Sequence, residues 1–185
     1  MNDDAVIASV RQWVESFVVG LNLCPFAKRE LLQGSIRFVT TRASTEEELL
    51  VVLRYELELL GREPSMETTL LIHPAALPRF QHYNQFLGYA DELLVQLEME
   101  GVYQIASFHP EYQFEGTDPD DAENYTNRSP YPILHLLREE SLERGIDEFE
   151  DVGQIPARNI ELMNRLGVEK LKAMLQATVD GSPPA

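Results

Sequence analysis

Cys24 is the side chain with the most evident chemical potential, because a proline that can begin a helix follows it. Proline is favoured at the first helical position, so Pro25 predicts a short helix that ends at Gly34, with Cys24 as its N-cap. The free N–H groups and the dipole at a helix N-terminus favour the thiolate, which is the nucleophilic and redox-active form of cysteine. The alternative is a packing role, since free cysteines are commonly buried.

Two histidines, His73 and His109, stand directly before prolines at the ends of predicted strands. The carboxyl ends of parallel strands lie at one edge of an open α/β sheet, where such folds bind ligands. We therefore expect both histidines to share a cleft with Cys24, with His109 as acid or base and Glu111 as the carboxylate that orients it. The alternative for His109 is structural, with its ring bonded to a backbone carbonyl at a proline-containing turn.

Arginine and asparagine pairs near predicted helix starts are candidates for holding an anion. Asn127-Arg128 precedes one such start, and Arg158-Asn159 lies just inside another. Free N–H groups and a guanidinium together bind carboxylate or phosphate groups. With His73, these four residues are the predicted contacts of a small anionic metabolite. The alternative is that each arginine pairs with neighbouring carboxylates.

Metal and cofactor signatures are missing from the sequence. No two cysteine or histidine residues have the short spacing of a zinc site, and the acidic loop at 118–123 lacks the order and the glycine of an EF-hand. The chain also has no Walker loop, GxGxxG, GxSxG or HExxH motif. We therefore expect neither a bound metal nor a cofactor.

Composition limits the classes of partner. The 185 residues include 31 acidic and 15 basic side chains, which gives a net charge of −16 and disfavours nucleic acids and anionic membranes. A single cysteine excludes an internal disulfide framework and suits a reducing compartment. No stretch has the composition of a signal peptide or a transmembrane helix. These features predict a cytoplasmic protein with one domain, residues 1–180, and a loose C-terminal tail, residues 181–185.

The hydrophobic pattern predicts the elements that must position these side chains. Strands are expected at 35–40, 67–72 and 102–108, with intervening helices at 44–61 and 77–100, the first opened by a capping box of Ser44 and Glu47. A further helix is expected over about 130–144, with His135 as one of its core residues, before a closing helical pair at 155–166 and 168–177. The predicted fold is α/β, with a small parallel or mixed sheet of three strands, or four if an edge strand is added. Crossover helices and a C-terminal helical cover would enclose this sheet.

Four stretches of unusual sequence carry a resemblance to a known family. They are Asn22–Ala27, Phe108–Gly116, Asn127–Pro132 and Ile155–Glu161. They resemble the signature stretches of a bacterial family catalogued as domain of unknown function 1415. The resemblance implies one bacterial cytoplasmic domain over nearly the whole chain, and it implies no particular activity.

Two functional hypotheses follow from the residues. The first is an enzyme for a small anionic metabolite, in which Cys24 is a reactive cysteine, His109 the acid or base, and Arg128 or Arg158 the substrate clamp. The second is a binding or accessory protein without turnover, which uses the same cleft or an apolar surface.

Overall fold

The fold was analysed in a computed structural model that describes residues 2–148 and 152–181. Seven helices and four strands lie within those residues. The helices are α1 (Asp3–Trp13), α2 (Ala27–Gln33), α3 (Glu46–Arg62), α4 (Phe80–Gln96), α5 (Glu139–Glu148), α6 (Ile155–Leu166) and α7 (Val168–Asp180). The strands are β1 (Ile36–Thr40), β2 (Thr68–Ile72), β3 (Tyr103–Phe108) and β4 (Ile133–Arg138). Apart from Gly181, the predicted tail lies outside the described residues.

The four strands form one mixed sheet in the order β1-β2-β4-β3. β1 and β2 are parallel, while β4 runs antiparallel to both of its neighbours, β2 and β3. The three predicted strands therefore run in the same direction, and the carboxyl ends of β2 and β3 lie at the same edge. This confirms the α/β fold, with four strands in a mixed sheet.

The fourth strand lies inside the sheet, not at its edge, and it replaces part of a predicted helix. Residues 130–144 were expected to be helical, but β4 covers Ile133–Arg138 and α5 begins only at Glu139. The prediction was wrong because β4 is covered on both faces, so apolar residues occupy successive positions and the alternation of a strand is lost. The sequence of such a strand is similar to that of a buried helix.

The two faces of the sheet pack against different helices. One face, with Leu71, Leu134 and Leu136, packs on α3 and α4. We call the other the α1 face, because Leu70, Ile72 and Ile133 share a core there with α1, α6 and α7. Successive side chains of a strand point to opposite faces, so neighbouring residues of β2 and β4 belong to different cores.

Two local features differ from the expected helix starts. The capping box of α3 is formed by Thr45 and Glu48, one residue later than the predicted pair. The second helix begins at Ala27, with Phe26 as its N-cap, so Pro25 is not its first residue and Cys24 is not its N-cap. Proline instead lies in the preceding turn, where Ala27 N–H donates to the Cys24 carbonyl over 3.3 Å.

α1 continues without a break into a π-helical segment, Val14–Val19. Its hydrogen bonds span five residues, such as Leu23 N–H to the Val18 carbonyl. Short π-helical segments inside α-helices are uncommon and are frequently found at functional sites. Among the described residues, no helix combines the length and the apolar composition needed to cross a membrane.

Candidate functional site

His73 and His109 lie together at the edge predicted for them. Both are buried, and both rings contact the ring of Tyr83 on α4, with centroid distances of 5.8 and 5.1 Å. The ends of β2 and β3 therefore bring these two histidines together, but neither lines a cleft described for this structure. Neither histidine has a contact with Cys24, which lies on the α1 face of the sheet.

The hydrogen bonds of His109 are those of a structural residue. Its Nδ1 accepts the backbone N–H of Glu111 at 3.0 Å, so the proton is on Nε2, which donates to the Leu77 carbonyl at 3.1 Å. Burial lowers the pKa of His109, which keeps the ring neutral. Leu77 has a positive φ of 55°, so this bond holds a strained backbone conformation at the approach to α4. Glu111 orients His109 through its backbone, in contrast to the predicted role of its carboxylate.

His73 has one satisfied ring nitrogen and one that is buried without a partner. Its Nδ1 donates to the Ala76 carbonyl at 3.1 Å, while Nε2 has no partner among the described residues. Burial lowers the pKa of His73 to about 4, and the neighbouring His109 acts in the same direction. A neutral imidazole at this position stabilises the turn after β2, and it is not exposed to a substrate.

The predicted anion-binding residues hold backbone carbonyls. Arg128 donates to the carbonyls of Tyr112 and Pro119, and Asn127 donates to the carbonyl of Ser107. These bonds fix the loop that follows β3. In the same region, Glu111 and Arg128 line an open cleft of about 610 Å³, together with Arg79 and Asp120. Acidic and basic groups are balanced there, so the cleft has no excess of positive charge for an anion.

Arg158 and Asn159 have a similar role on the α1 face. Arg158 donates to the Asn22 carbonyl at 2.6 Å, and the buried Asn159 donates to the Leu23 carbonyl at 2.9 Å. α6 thereby fixes the turn that carries Cys24. The role predicted for these residues as substrate contacts stays a prediction, while their observed bonds position a candidate site residue.

Cys24 is half-buried and lines an interior cavity. Burial raises the pKa of its thiol, and hydrogen bonds from the backbone N–H groups of Phe26 and Ala27 offset part of that rise. The expected thiolate-stabilising helix terminus is therefore replaced by a partly desolvated environment. Cys24 is a neutral thiol at neutral pH under these conditions.

The cavity lies between the α1 face of the sheet and the helices above it. Its volume is about 260 Å³, and most of its wall is apolar. The apolar wall is formed by Trp13, Val14, Val18, Phe26, Ile36, Leu70, Ala106, Phe108, Leu137 and Leu142. Val14 and Val18 belong to the π-helical segment that continues α1, so this irregular turn forms part of the cavity wall. None of these apolar residues was singled out from the sequence as part of a site.

His135 is one of the polar side chains that the sheet, which forms the floor of the cavity, contributes to its lining. It lies deep in the fold on β4, paired across the sheet with Leu70 and Ala106, which also line the cavity. Part of its ring is nevertheless accessible, because it faces the cavity. Burial lowers the pKa of His135 to about 4, so the ring is neutral at neutral pH. The sequence predicts a helical core position for His135, whereas the observed strand Ile133–Arg138 puts it on the cavity side of the sheet.

Charged residues gather at one end of the cavity. Arg29, which is 43% exposed, pairs with Glu30, and Glu30 also accepts a hydrogen bond from Ser35. Glu67 accepts a hydrogen bond from Ser141 and pairs with Arg144. Arg138 also lines the cavity and donates to the carbonyls of Leu60 and Met66. Together these groups make the entrance polar and close to neutral, while most of the remaining wall is apolar.

Slow alkylation of Cys24 is expected at neutral pH. Because burial raises its pKa, iodoacetamide should modify the native protein at least about tenfold more slowly than free cysteine, since the thiolate is the reactive form. The measurement is the alkylation rate between about pH 7 and about pH 10. The matched control is the same protein in urea, where Cys24 should react at the free rate. Faster reaction in the native state would show a thiolate and would favour the enzyme hypothesis.

Within 2–148 and 152–181, no three histidine, cysteine or acidic side chains are grouped so as to hold a metal ion. The site is therefore an apolar cavity with a neutral imidazole and a neutral thiol in its wall. Its parts come from all four strands, from α1 with its π-helical segment, from α2 with the turn before it, and from α5.

Comparison with known proteins supports the resemblance that the sequence suggests. No curated protein and no solved structure matches the chain. A family model, described as a protein of unknown function (DUF1415), matches residues 5–173. All four stretches that resemble this family lie inside the matched region, and two of them meet where Arg158 and Asn159 fix the turn at Asn22 and Leu23. On this match over most of its length, the chain belongs to the DUF1415 family.

Proposed function

We propose that the protein binds a small, mainly apolar molecule in the cavity on the α1 face. The observation that supports this most directly is the cavity itself, with about 260 Å³ of space and the half-buried His135 in its wall. Protein interiors are close-packed and contain few voids larger than a water molecule. A space of this size beside a well-packed sheet is therefore an exception that a ligand would explain.

The size of the cavity sets the size of the ligand. An engineered apolar cavity of about 150 Å³ can hold benzene. The larger volume here suits a molecule of one or two rings, or a short branched chain. The apolar wall would supply most of the binding free energy, at roughly 25 cal/mol for each Å² of apolar surface removed from water.

The protonation states of the cavity favour binding over turnover. Burial raises the pKa of Cys24 and lowers that of His135, so both groups are neutral at neutral pH. Covalent catalysis by cysteine needs a thiolate or an adjacent base that can form one. The structure also separates Cys24 from His109, the base expected from the sequence. The enzyme hypothesis stays a prediction that the alkylation experiment addresses.

We also propose that the protein acts in the bacterial cytoplasm and does not bind nucleic acid. A net charge of −16 repels polyanions, and a single free thiol is most easily maintained in a reducing compartment. In an acidic protein, a cavity without a net positive charge suits a neutral ligand better than the anionic metabolite expected from the sequence.

The proposed function is tested by titrating the native protein with toluene, phenol and anisole, followed by backbone-amide NMR. Saturable shifts are expected for residues around the cavity, such as Leu70, Ala106 and Leu137, with at least one of the three probes. Amides on the α3 and α4 side, such as that of Leu57, serve as the internal control and should not move. If all three probes leave the cavity residues unaffected up to their solubility limits, the proposed function is wrong.

A further inference from the structure

We infer that the ligand is a small ring that carries a neutral hydrogen-bond donor, either a hydroxyl or an aromatic N–H. Nδ1 of His135 accepts the hydrogen bond from this donor. This inference rests on the proposed function and names its ligand class as phenol-like or indole-like. Its basis is the juxtaposition of an apolar cavity with one imidazole nitrogen that no residue of the described chain satisfies.

The hydrogen bonds around Thr68 fix the position of the imidazole proton. Thr68 Oγ1 lies 2.6 Å from the Leu136 carbonyl, and only the hydroxyl can donate in that pair. The same oxygen lies 2.7 Å from Nε2 of His135, so it must accept a proton from that nitrogen. His135 therefore carries its proton on Nε2, and Nδ1 has a free lone pair.

Nδ1 has no partner among residues 2–148 and 152–181, and its ring is partly accessible from the cavity. A polar group in an apolar wall costs free energy when it has no hydrogen-bond partner. Thr68 Oγ1 already donates to a backbone carbonyl, so its proton does not serve Nδ1. A ligand donor would satisfy this nitrogen, and the surrounding apolar wall would strengthen the bond by excluding water.

The chemistry of a neutral imidazole acceptor excludes several ligand classes. Carboxylate and phosphate groups only accept hydrogen bonds, so they would meet the Nδ1 lone pair with another lone pair. They would also lose their hydration against a mainly apolar wall, whose two cationic residues are already bound, Arg29 to Glu30 and Arg138 to backbone carbonyls. An ammonium group would lose its hydration without an anion beside it, because Glu30 and Glu67 are already paired at the entrance. A hydroxyl or aromatic N–H has the required donor and a small desolvation penalty.

The apolar surroundings of His135 set the rest of the ligand. The ring of Phe108 lies 6.0 Å from the imidazole, and Phe108 itself packs edge-on against Trp13 at 5.2 Å. Aromatic side chains in this arrangement contact planar rings favourably. The hydroxyl or N–H of the ligand would therefore contact His135 on the sheet, and the ring of the ligand would lie between the sheet and α1.

The test compares phenol with toluene, which has nearly the same shape, and with anisole, which keeps the oxygen but has no donor. In the wild type, phenol should bind at least about tenfold more tightly than anisole, as expected for one satisfied buried acceptor. In His135→Leu, phenol affinity should fall at least about tenfold, while toluene affinity should change less than about threefold. His82→Leu, the same change at an exposed histidine of α4, should leave every affinity unchanged.

Two further measurements keep the inference testable if His135→Leu does not fold. His135→Gln supplies an amide that can donate to Thr68 and present an oxygen to the cavity, so it should retain phenol binding. In the wild-type protein, the imidazole ¹⁵N resonance of Nδ1 should move when phenol is added and not when toluene is added. An Nδ1 resonance that responds equally to both probes contradicts the inference.

Failure of the inference differs from failure of the proposed function. If toluene and anisole bind in the cavity as tightly as phenol, or if His135→Leu leaves phenol affinity unchanged, the donor assignment is wrong and the binding function stands. If none of the three probes binds in the cavity, the proposed function itself is wrong.

Discussion

The free energy of unfolding is expected to fall by about 5 kcal/mol between about pH 7 and about pH 4.5 through His73 and His135 alone, two of the histidines that are buried in the neutral form. Burial lowers the pKa values of His73 and His135 to about 4, while unfolded histidine has a pKa of about 6.5. Below that value the unfolded chain binds protons that the folded chain does not bind. Stability contributed by these groups is therefore complete above about pH 6.5 and decreases as the pH falls toward about 4.

Urea denaturation across this pH range measures the effect, and two variants assign it. His135→Leu removes one of the two groups, so its stability should decrease by about half as much as that of the wild type. His82→Leu changes an exposed histidine and should follow the wild-type curve. If the curve of His135→Leu runs parallel to that of the wild type, the ring is already protonated or already solvated in the native state. That result would also contradict the inferred ligand class, because the hydroxyl or aromatic N–H donor needs a neutral His135 whose Nδ1 can accept a hydrogen bond.

Local sequence signals predicted the sheet edge correctly. Strand periodicity and the two His-Pro pairs were enough to place His73 and His109 side by side, because parallel strands bring their carboxyl ends to one edge. The structural alternative for His109, a ring bonded to a backbone carbonyl, also describes the observed bond to Leu77. Those features depend on a few residues near each other in the chain or on the direction of neighbouring strands.

The position of Cys24 relative to the histidines could not be predicted in the same way. The sequence places Cys24 before a helix, but the side of the sheet on which that helix packs depends on contacts distant in the chain. Asn159 and Arg158 fix the turn from a separation of 136 residues. No periodicity within the turn encodes that contact, and so the expected site combined side chains from opposite faces.

The cavity was missed because it depends on the assignment of β4. If residues 133–138 are helical, His135 points into a helical core. If they form a central strand, His135 shares a face with Ile133 and Leu137, between Leu70 and Ala106. Apolar residues on both faces of a central strand hide its period, so the sequence alone favours the wrong element. One incorrect element therefore removed the principal polar residue of the candidate site from consideration.

The stretches that identify the family have a structural reason to be unusual. His109 N–H donates to the Asn127 carbonyl, and Ser129 N–H donates to the His109 carbonyl, so two of the four stretches pair at the end of β3. The other two meet where α6 holds the turn before α2. The family signature thus describes two tertiary contacts, one at the end of β3 and one at the turn before α2, and the contact with α6 positions a residue of the cavity wall.

Ala106→Trp is expected to abolish probe binding with little loss of stability. Ala106 lies in the cavity wall directly across from His135. An indole there would occupy the space of a one-ring or two-ring ligand and cover Nδ1, so affinity for phenol and toluene should fall by roughly a hundredfold, or about 2.7 kcal/mol. Because the new side chain enters existing space, the free energy of unfolding should fall by no more than about 1 kcal/mol.

Ala90→Trp is the matched control, since it makes the same change at a fully buried position of α4 in the close-packed core on the other face. There the indole has no space to enter, and stability should fall by about 3 kcal/mol or more, since overpacking forces side chains and backbone apart. Titration with phenol and urea denaturation of both variants give the two readouts. Equal destabilisation by the two substitutions would mean that the cavity closes in solution. A stable Ala106→Trp protein that still binds phenol at wild-type affinity would place the ligand elsewhere on the molecule.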